Sequence, residues 1–282
     1  MRPVRFLAAF ALLIALAPGA GAQDPLSEEV PYIKTPQKVV DKMLDIAQVG
    51  ADDFLIDLGS GDGRIVITAA QRRGARGFGV ELDDRLVEAS NAEARRAGIA
   101  DRAQFFARDL FETDISQASV LTMYLLPQVN LQLRPRLFEK LKPGTRVVSH
   151  DWDMGEWRPD AKAVLDGLTK PVMPVSSSTV YLWIMPANVA GLWTLQLEGR
   201  PAASMEIEFS QRFQEISAEV KRETGRVRLQ SATLRGAEIS FGVDDDARRP
   251  SGLQQFSGRV DGDRMDGTTA AGQRWRAQRK PG

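Results

Sequence analysis

The chain of 282 residues contains no cysteine and a single histidine, His150. The first absence excludes disulfides, thiolate metal sites and cysteine nucleophiles; the second argues against a histidine-based cluster, so no metal is expected. An excess of one charge is also missing. The 37 basic and 37 acidic residues cancel, and a chain without a basic surplus is not expected to take nucleic acid as a partner. Low-complexity tracts are absent and the hydrophobic fraction is an ordinary 43%, as expected for a protein with a sizeable core and more than one domain.

The N-terminal apolar run, FLAAFALLIALA, lies after Arg2 and Arg5 and before Ala20-Gly21-Ala22. It is shorter than the ~20 residues of a spanning helix. Residues 1–22 therefore read as a secretory signal cleaved before Gln23. Export, to the periplasm in a bacterial cell, is the expected localisation, with an uncleaved membrane anchor as the alternative.

From residue 23 to about 187, short hydrophobic runs alternate with helical patterns. FLIDLG (54–59), GFGVELD (77–83), AQFFARD (103–109), SVLTMYL (119–125) and TRVVSHD (145–151) read as strands. Helices are expected from near Asp62, from Asp84 to Ala97 with a stop at Gly98, and around Leu131, Leu137, Phe138 and Leu141. Another, in TPQKVVDKML, would take Thr35 as N-cap and Pro36 as its first residue, burying Val39, Val40 and Met43. Such alternation predicts an α/β fold with a doubly wound, mostly parallel, Rossmann-like sheet. From 188 to 282 the period changes to two. WTLQLEG, SMEIEFS, EISAEVK, RVRLQSA, AEISFGV, QQFSGRV and QRWRAQR alternate apolar with polar residues between short turns. A small all-β antiparallel barrel domain, lipocalin-like in pattern only and filled by its own side chains, is expected there.

The stretch DLGSGDGR, from Asp57 to Arg64, places Gly59, Ser60, Gly61 and Gly63 directly after the first predicted strand. A glycine-rich turn at that point of a doubly wound sheet takes a nucleotide-like ligand. Arg64 stands where a dinucleotide fingerprint wants its third glycine. Three carboxylates then narrow the choice, since Asp57, Glu81 and Asp109 fall at the ends of successive strands. Glu81 can accept ribose hydroxyls of either a nicotinamide dinucleotide or S-adenosylmethionine. Asp57 would repel a pyrophosphate but attract an ammonium and a sulfonium. Asp109 can accept from an adenine amine.

With these residues the sequence resembles the seven-strand, Rossmann-like class of S-adenosylmethionine-dependent methyltransferases. PYIKTP (31–36), DLGSGDGRIVITAA (57–70), GVELD (79–83), YLLP (124–127) and KPGTRVVSHDWDMGEW (142–157) are similar to the protein-lysine methyltransferases that act on the ATP synthase c subunit and the adenine nucleotide translocase. The resemblance spans about Pro31 to Pro186. It implies S-adenosylmethionine as cofactor, a protein lysine as acceptor, and cofactor-binding roles for Asp57, Gly59, Ser60, Gly61, Gly63, Glu81 and Asp109. Tyr124 occupies the class's acceptor-facing position. Enzymes that modify planar nitrogens open the corresponding tetrad with Asp or Asn; the run Tyr124-Leu125-Leu126-Pro127 lacks both and suits an aliphatic amine. Tyr32 would flank the acceptor with its ring face, and Asp151, with His150 beside it, would assist proton loss. Tyr32, Tyr124 and Asp151 are thus the candidate catalytic residues. Ser149, His150 and Asp151 are consecutive and cannot form a hydrolytic triad among themselves. Trp152 and Trp157 are expected to pack the sheet edge.

Two other functions are compatible with the pattern. One is a catalytically inactive methyltransferase fold that binds a ligand in the cell envelope; the other is a nicotinamide-dependent oxidoreductase, disfavoured by Arg64 and Asp57.

Overall fold

In chain order the first half runs α1 (Gln37–Ile46), β1 (Phe54–Leu58), α2 (Arg64–Arg73), β2 (Arg76–Glu81), α3 (Asp84–Arg96) and β3 (Ala103–Ala107). It continues with β4 (Val120–Met123), α4 (Pro127–Lys140), β5 (Arg146–His150), β6 (Ala161–Asp166) and β7 (Ser177–Ile184). The structure, a computed structural model, describes residues 33–168, 177–199, 204–222, 225–244 and 253–281. Tyr32 and the signal segment 1–22 lie outside the described residues.

These strands form one seven-stranded sheet in the order β3-β2-β1-β4-β5-β7-β6. The first five are parallel, and β7 is antiparallel to both of its neighbours. Covered faces explain the strands' composition: every residue of β4 is buried, and Leu55 to Leu58 of β1 are too. Apolar side chains of α1, α2 and α3 fill one face, where Val39, Val40 and Met43 are fully buried as their spacing predicts. On the other face, Leu133 and Leu137 of α4 pack with Ile56, Leu121 and Val147. The periodicity of the first five strands is thus realised. Strands β6 and β7 were not placed on residues by the sequence pattern, although the resemblance implies seven strands.

Several local expectations are corrected. Thr35 does not cap α1, whose N-cap is Pro36 without a side-chain bond; the Thr35 hydroxyl lies 3.2 Å from Nδ1 of buried His150 instead. Helix α2 begins at Arg64, because Gly63 takes a left-handed φ of 73° ahead of it. Strand β3 stops at Ala107, so Asp109 sits on the following turn rather than at the strand end. Trp157 belongs to the core and not to an edge: it is fully buried against Phe138 and Trp183.

The second half comprises β8 (Gly191–Leu197), β9 (Ser204–Arg212), β10 (Glu215–Arg222), β11 (Gly225–Arg228) and β12 (Gln230–Arg235). After them come β13 (Glu238–Asp244), β14 (Leu253–Asp261), β15 (Arg264–Thr269) and β16 (Arg274–Arg279). They form a nine-stranded antiparallel sheet whose first and last strands in sequence, β8 and β16, pair with each other. The run RVRLQSA, expected as one strand, divides between β11 and β12. Leu229 still donates its N–H to the Ala218 carbonyl of β10 at 2.8 Å. Ser231 then adopts a φ of 51°, the register shifts, and the chain turns to pair with β13. A bent strand therefore nearly closes an up-and-down barrel. The inside is hydrophobic, with Trp193, Phe209, Phe241, Phe256 and Trp275 among its fillers. Among the described residues no helix is long and apolar enough to cross a membrane.

Candidate active site

The turn after β1 is built from backbone that side chains would obstruct. Gly59, Gly61 and Gly63 all have left-handed φ values, of 73°, 53° and 73°. A Cβ on Gly63 would also lie 2.6 Å from the Phe105 ring, so only glycine suits this position. Both Gly59 and Ser60 donate backbone N–H groups to the Val80 carbonyl at 2.9 Å. Ser90 of α3 donates its hydroxyl to the Gly61 carbonyl at 3.2 Å. The loop is thereby held rigidly across the tips of β1 and β2.

Two of the three expected carboxylates meet at this loop. Asp57 is only 2% exposed, and its Oδ1 accepts a hydrogen bond of 2.7 Å from the Thr122 hydroxyl of β4. Burial pushes its carboxyl up to about 7 against the opposing Thr122 bond, and the negative charges of Glu81 and Asp62 add to the rise. Glu81 accepts from Gly61 N–H at 3.0 Å through Oε2, and from Leu82 N–H at 2.7 Å through Oε1. Asp109 lies just past the end of β3: it is exposed, and its Oδ1 accepts the Phe111 N–H at 2.7 Å.

Beside the loop, Asp62 pairs with Arg64 at 2.5 Å, and Arg64 donates through Nη1 to the Thr35 carbonyl at 2.7 Å. The arginine that replaces the third glycine of a dinucleotide fingerprint thus ties the segment before α1 to the loop. Thr35 is gripped twice, by Arg64 on its carbonyl and by His150 on its hydroxyl.

At the tips of β4 and β5 a second group assembles. The Tyr124 ring lies over the His150 imidazole with centroids 3.9 Å apart. The Tyr124 hydroxyl points at Asp151 Oδ2 over 3.4 Å, and His150 Nε2 lies 3.0 Å from the Ser178 hydroxyl and 3.4 Å from the same Asp151 oxygen. Asp151 itself has a φ of 63°, a conformation uncommon outside glycine. It is locked there by exchange with β7: Asp151 N–H donates to the Thr179 carbonyl at 2.7 Å, and Thr179 N–H donates to Asp151 Oδ1 at 3.0 Å. Burial and the Asp151 charge push the Tyr124 phenol up to about 12, so this hydroxyl remains protonated at neutral pH and acts as a donor, not as a base. Buried Asn130 of α4 donates to the carbonyls of Trp152 and Asp153 at 3.3 and 3.4 Å, which fastens the loop after Asp151.

Thr35, Arg64, Thr122, Ser178, Thr179 and Asn130 were not among the candidates from sequence. Their roles depend on partners far along the chain, and nothing in local pattern marks a threonine as the clasp of a distant histidine.

Residues 57–161 match the family described as "ANTKMT methyltransferase domain". A protein-lysine N-methyltransferase of Saccharolobus islandicus (strain REY15A) is 44% identical over 158 residues, covering 55% of this chain and 94% of that protein. The chain belongs to this protein-lysine N-methyltransferase family. It is an S-adenosylmethionine-dependent methyltransferase. Among other members, the adenine nucleotide translocase lysine N-methyltransferase of Mus musculus is 33% identical over 137 residues, where the match spans 49% of this chain and 59% of the mouse protein. A solved structure titled as an RNA methyltransferase from Salinibacter ruber in complex with S-adenosyl-L-homocysteine is 53% identical, with a TM-score of 0.51. It aligns with 55% of this chain and 95% of its own. Each of these family likenesses covers about half of the present chain or less.

The loop fits the cofactor that the family implies. Ser60 Oγ is buried without a hydrogen-bond partner, a donor left for a ligand. Its neighbour Asp57 is a buried carboxylate beside further negative charge, a surrounding that a sulfonium and an ammonium relieve and a pyrophosphate aggravates.

Proposed function

We propose that this protein transfers methyl groups to lysine side chains of a protein substrate. The observation that carries the proposal is the pairing of an aromatic face, Tyr124, with a carboxylate fixed in a left-handed turn, Asp151, at strand tips adjoining the glycine loop. In this account Asp57, Gly59, Ser60, Gly61, Gly63 and Glu81 hold the cofactor, and Asp109 accepts from its adenine. Bound S-adenosylmethionine supplies a methyl group on a sulfonium, open to in-line displacement. The chain's own work is alignment, exclusion of water and removal of a proton.

A lysine arrives as an ammonium, with an ordinary pKa near ~10.4, and must lose a proton before its nitrogen can act as a nucleophile. Asp151 Oδ2 offers that ammonium an acceptor, and the Tyr124 hydroxyl shares the same oxygen. The Tyr124 ring face adds an attraction for the cation. His150, with both ring nitrogens directed at Thr35 and Ser178, orients the ring above it. By the family resemblance alone, Tyr32 is proposed to flank the acceptor with its ring face.

The relative from Salinibacter ruber gives RNA as a second acceptor class. The balanced charge of the chain favours protein. Incubation of the mature chain with labelled cofactor and with envelope and cytosolic extracts separates the two. The expected label is destroyed by protease, survives ribonuclease, and appears in methyl-lysine on hydrolysis; a label lost to ribonuclease would contradict the proposal.

Residues 1–22 support an exported protein, and the periplasm is the proposed location. Its cofactor must then come from outside the usual cytosolic supply. Fractionation of native cells followed by N-terminal sequencing is expected to find a soluble envelope protein beginning at Gln23. A cytosolic protein retaining Met1 would overturn this location.

A further inference from the structure

One hairpin of the barrel reaches the loop that begins at Asp151. Three successive residues at the β9–β10 tip engage three successive residues of that loop. Arg212 pairs with Glu156 at 2.6 Å, Phe213 stacks on Trp157 with centroids 6.2 Å apart, and Gln214 Nε2 donates to the Arg158 carbonyl at 2.6 Å. Phe213 has a further neighbour in α4, because the Arg134 guanidinium lies over its ring at 5.4 Å and donates Nη1 to the Met154 carbonyl at 2.7 Å. The ring thus seats the arginine that holds the middle of the loop.

The hairpin maintains this contact against its own backbone preference. Phe213 occupies a two-residue turn with a φ of 57°, where hairpins ordinarily place glycine or asparagine. Gln211 braces the turn by donating through Nε2 to the Phe213 carbonyl at 2.7 Å and to the Ala187 carbonyl at 2.8 Å. A bulky residue held in that region points to a requirement for its side chain. At the loop's other end Asp151 is also left-handed, with a φ of 63°. Between the two, Asn130 and Arg134 grip the carbonyls of residues 152 to 154.

We infer that the β9–β10 hairpin of the barrel clamps the loop from Asp151 to Arg158 in the conformation that serves the acceptor, with Phe213 as the positioning residue. The inference rests on the acceptor role given to Asp151 above. It assigns the barrel a task in the transferase reaction: its hairpin tip supports the acceptor side and leaves the glycine loop alone.

The test uses the full-length mature chain and the variants Phe213→Gly and Phe213→Tyr. Glycine removes the ring and relaxes the turn, so folding is retained; tyrosine keeps the ring. In Phe213→Gly, amide hydrogen exchange across residues 151–158 is expected to rise by about tenfold, with exchange in β5 and at the glycine loop unchanged. Affinity for S-adenosylmethionine by calorimetry stays within about twofold, turnover on the labelled acceptor falls by about tenfold or more, and Phe213→Tyr restores both exchange and turnover. Arg134→Gln, which spares the ring, is expected to give the same change in smaller measure. Unchanged exchange at 151–158 in Phe213→Gly would overturn the clamp. Faster exchange with undiminished turnover would reduce the hairpin to packing alone and overturn its positioning role. If wild type transfers no methyl group at all, the proposed function has failed, whereas the exchange measurement still decides whether the hairpin holds the loop.

Discussion

Asp57→Asn is expected to weaken S-adenosylmethionine binding by about 30- to 100-fold while making the cofactor-free protein more stable above neutral pH. The affinity loss corresponds to about 2–3 kcal/mol, the range for a hydrogen bond or close contact with a charged group. The stability gain follows from the carboxyl being raised to about 7 in the fold from an ordinary value of 3.8. Between these two values the folded state binds the proton more tightly than the unfolded chain, so stability falls as pH rises. The penalty begins above pH 3.8 and is complete above about pH 7, where it amounts to a few kcal/mol. Asparagine removes it, keeps the volume and still accepts from Thr122. Melting temperatures should therefore separate from wild type more at pH 8 than at pH 5. An equal separation at both would contradict the raised carboxyl, and an affinity unchanged by the substitution would remove Asp57 from the site.

The second large effect is expected at Asp151. Asp151→Asn preserves the left-handed turn, which asparagine tolerates, and keeps an oxygen for the Thr179 N–H. Only the charge is lost. Turnover should drop by about 100- to 1,000-fold through loss of proton acceptance and of the cation's partner, while cofactor affinity changes little because Asp57 and the glycine loop are untouched. Steady-state assays at several pH values give the check: the variant's deficit should persist to high pH more weakly than near neutrality, since free lysine sheds its own proton as pH approaches its pKa. Full turnover in Asp151→Asn would place the proton acceptor elsewhere.

The glycine loop and five parallel strands were legible because their signals are local: buried strands read as apolar runs, and the loop needs glycine at left-handed positions. Asp57 and Glu81 were legible for the same reason, being placed at strand tips by strand length alone. Asp109 was misplaced by two residues, since the run AQFFARD does not announce that pairing stops at Ala107. Strand β6 escaped because it is a half-exposed edge strand with the weak pattern AKAVLD. In the barrel, alternation located most strands but not the bend at Ser231, where the demand for closure, not local propensity, sets the conformation. The same limit applies to Thr35. Its place before Pro36 suggested a cap, and a histidine 115 residues away took the hydroxyl instead.

Cofactor binding by isothermal calorimetry near neutral pH, in buffers of differing ionisation heat, tests most directly whether a buried carboxylate awaits a positive ligand. With Asp57 half ionised at about pH 7, S-adenosylmethionine should release about half a proton there and close to one at pH 6, and the release should vanish in Asp57→Asn. Binding with no proton released at either pH by the wild-type chain would contradict the account.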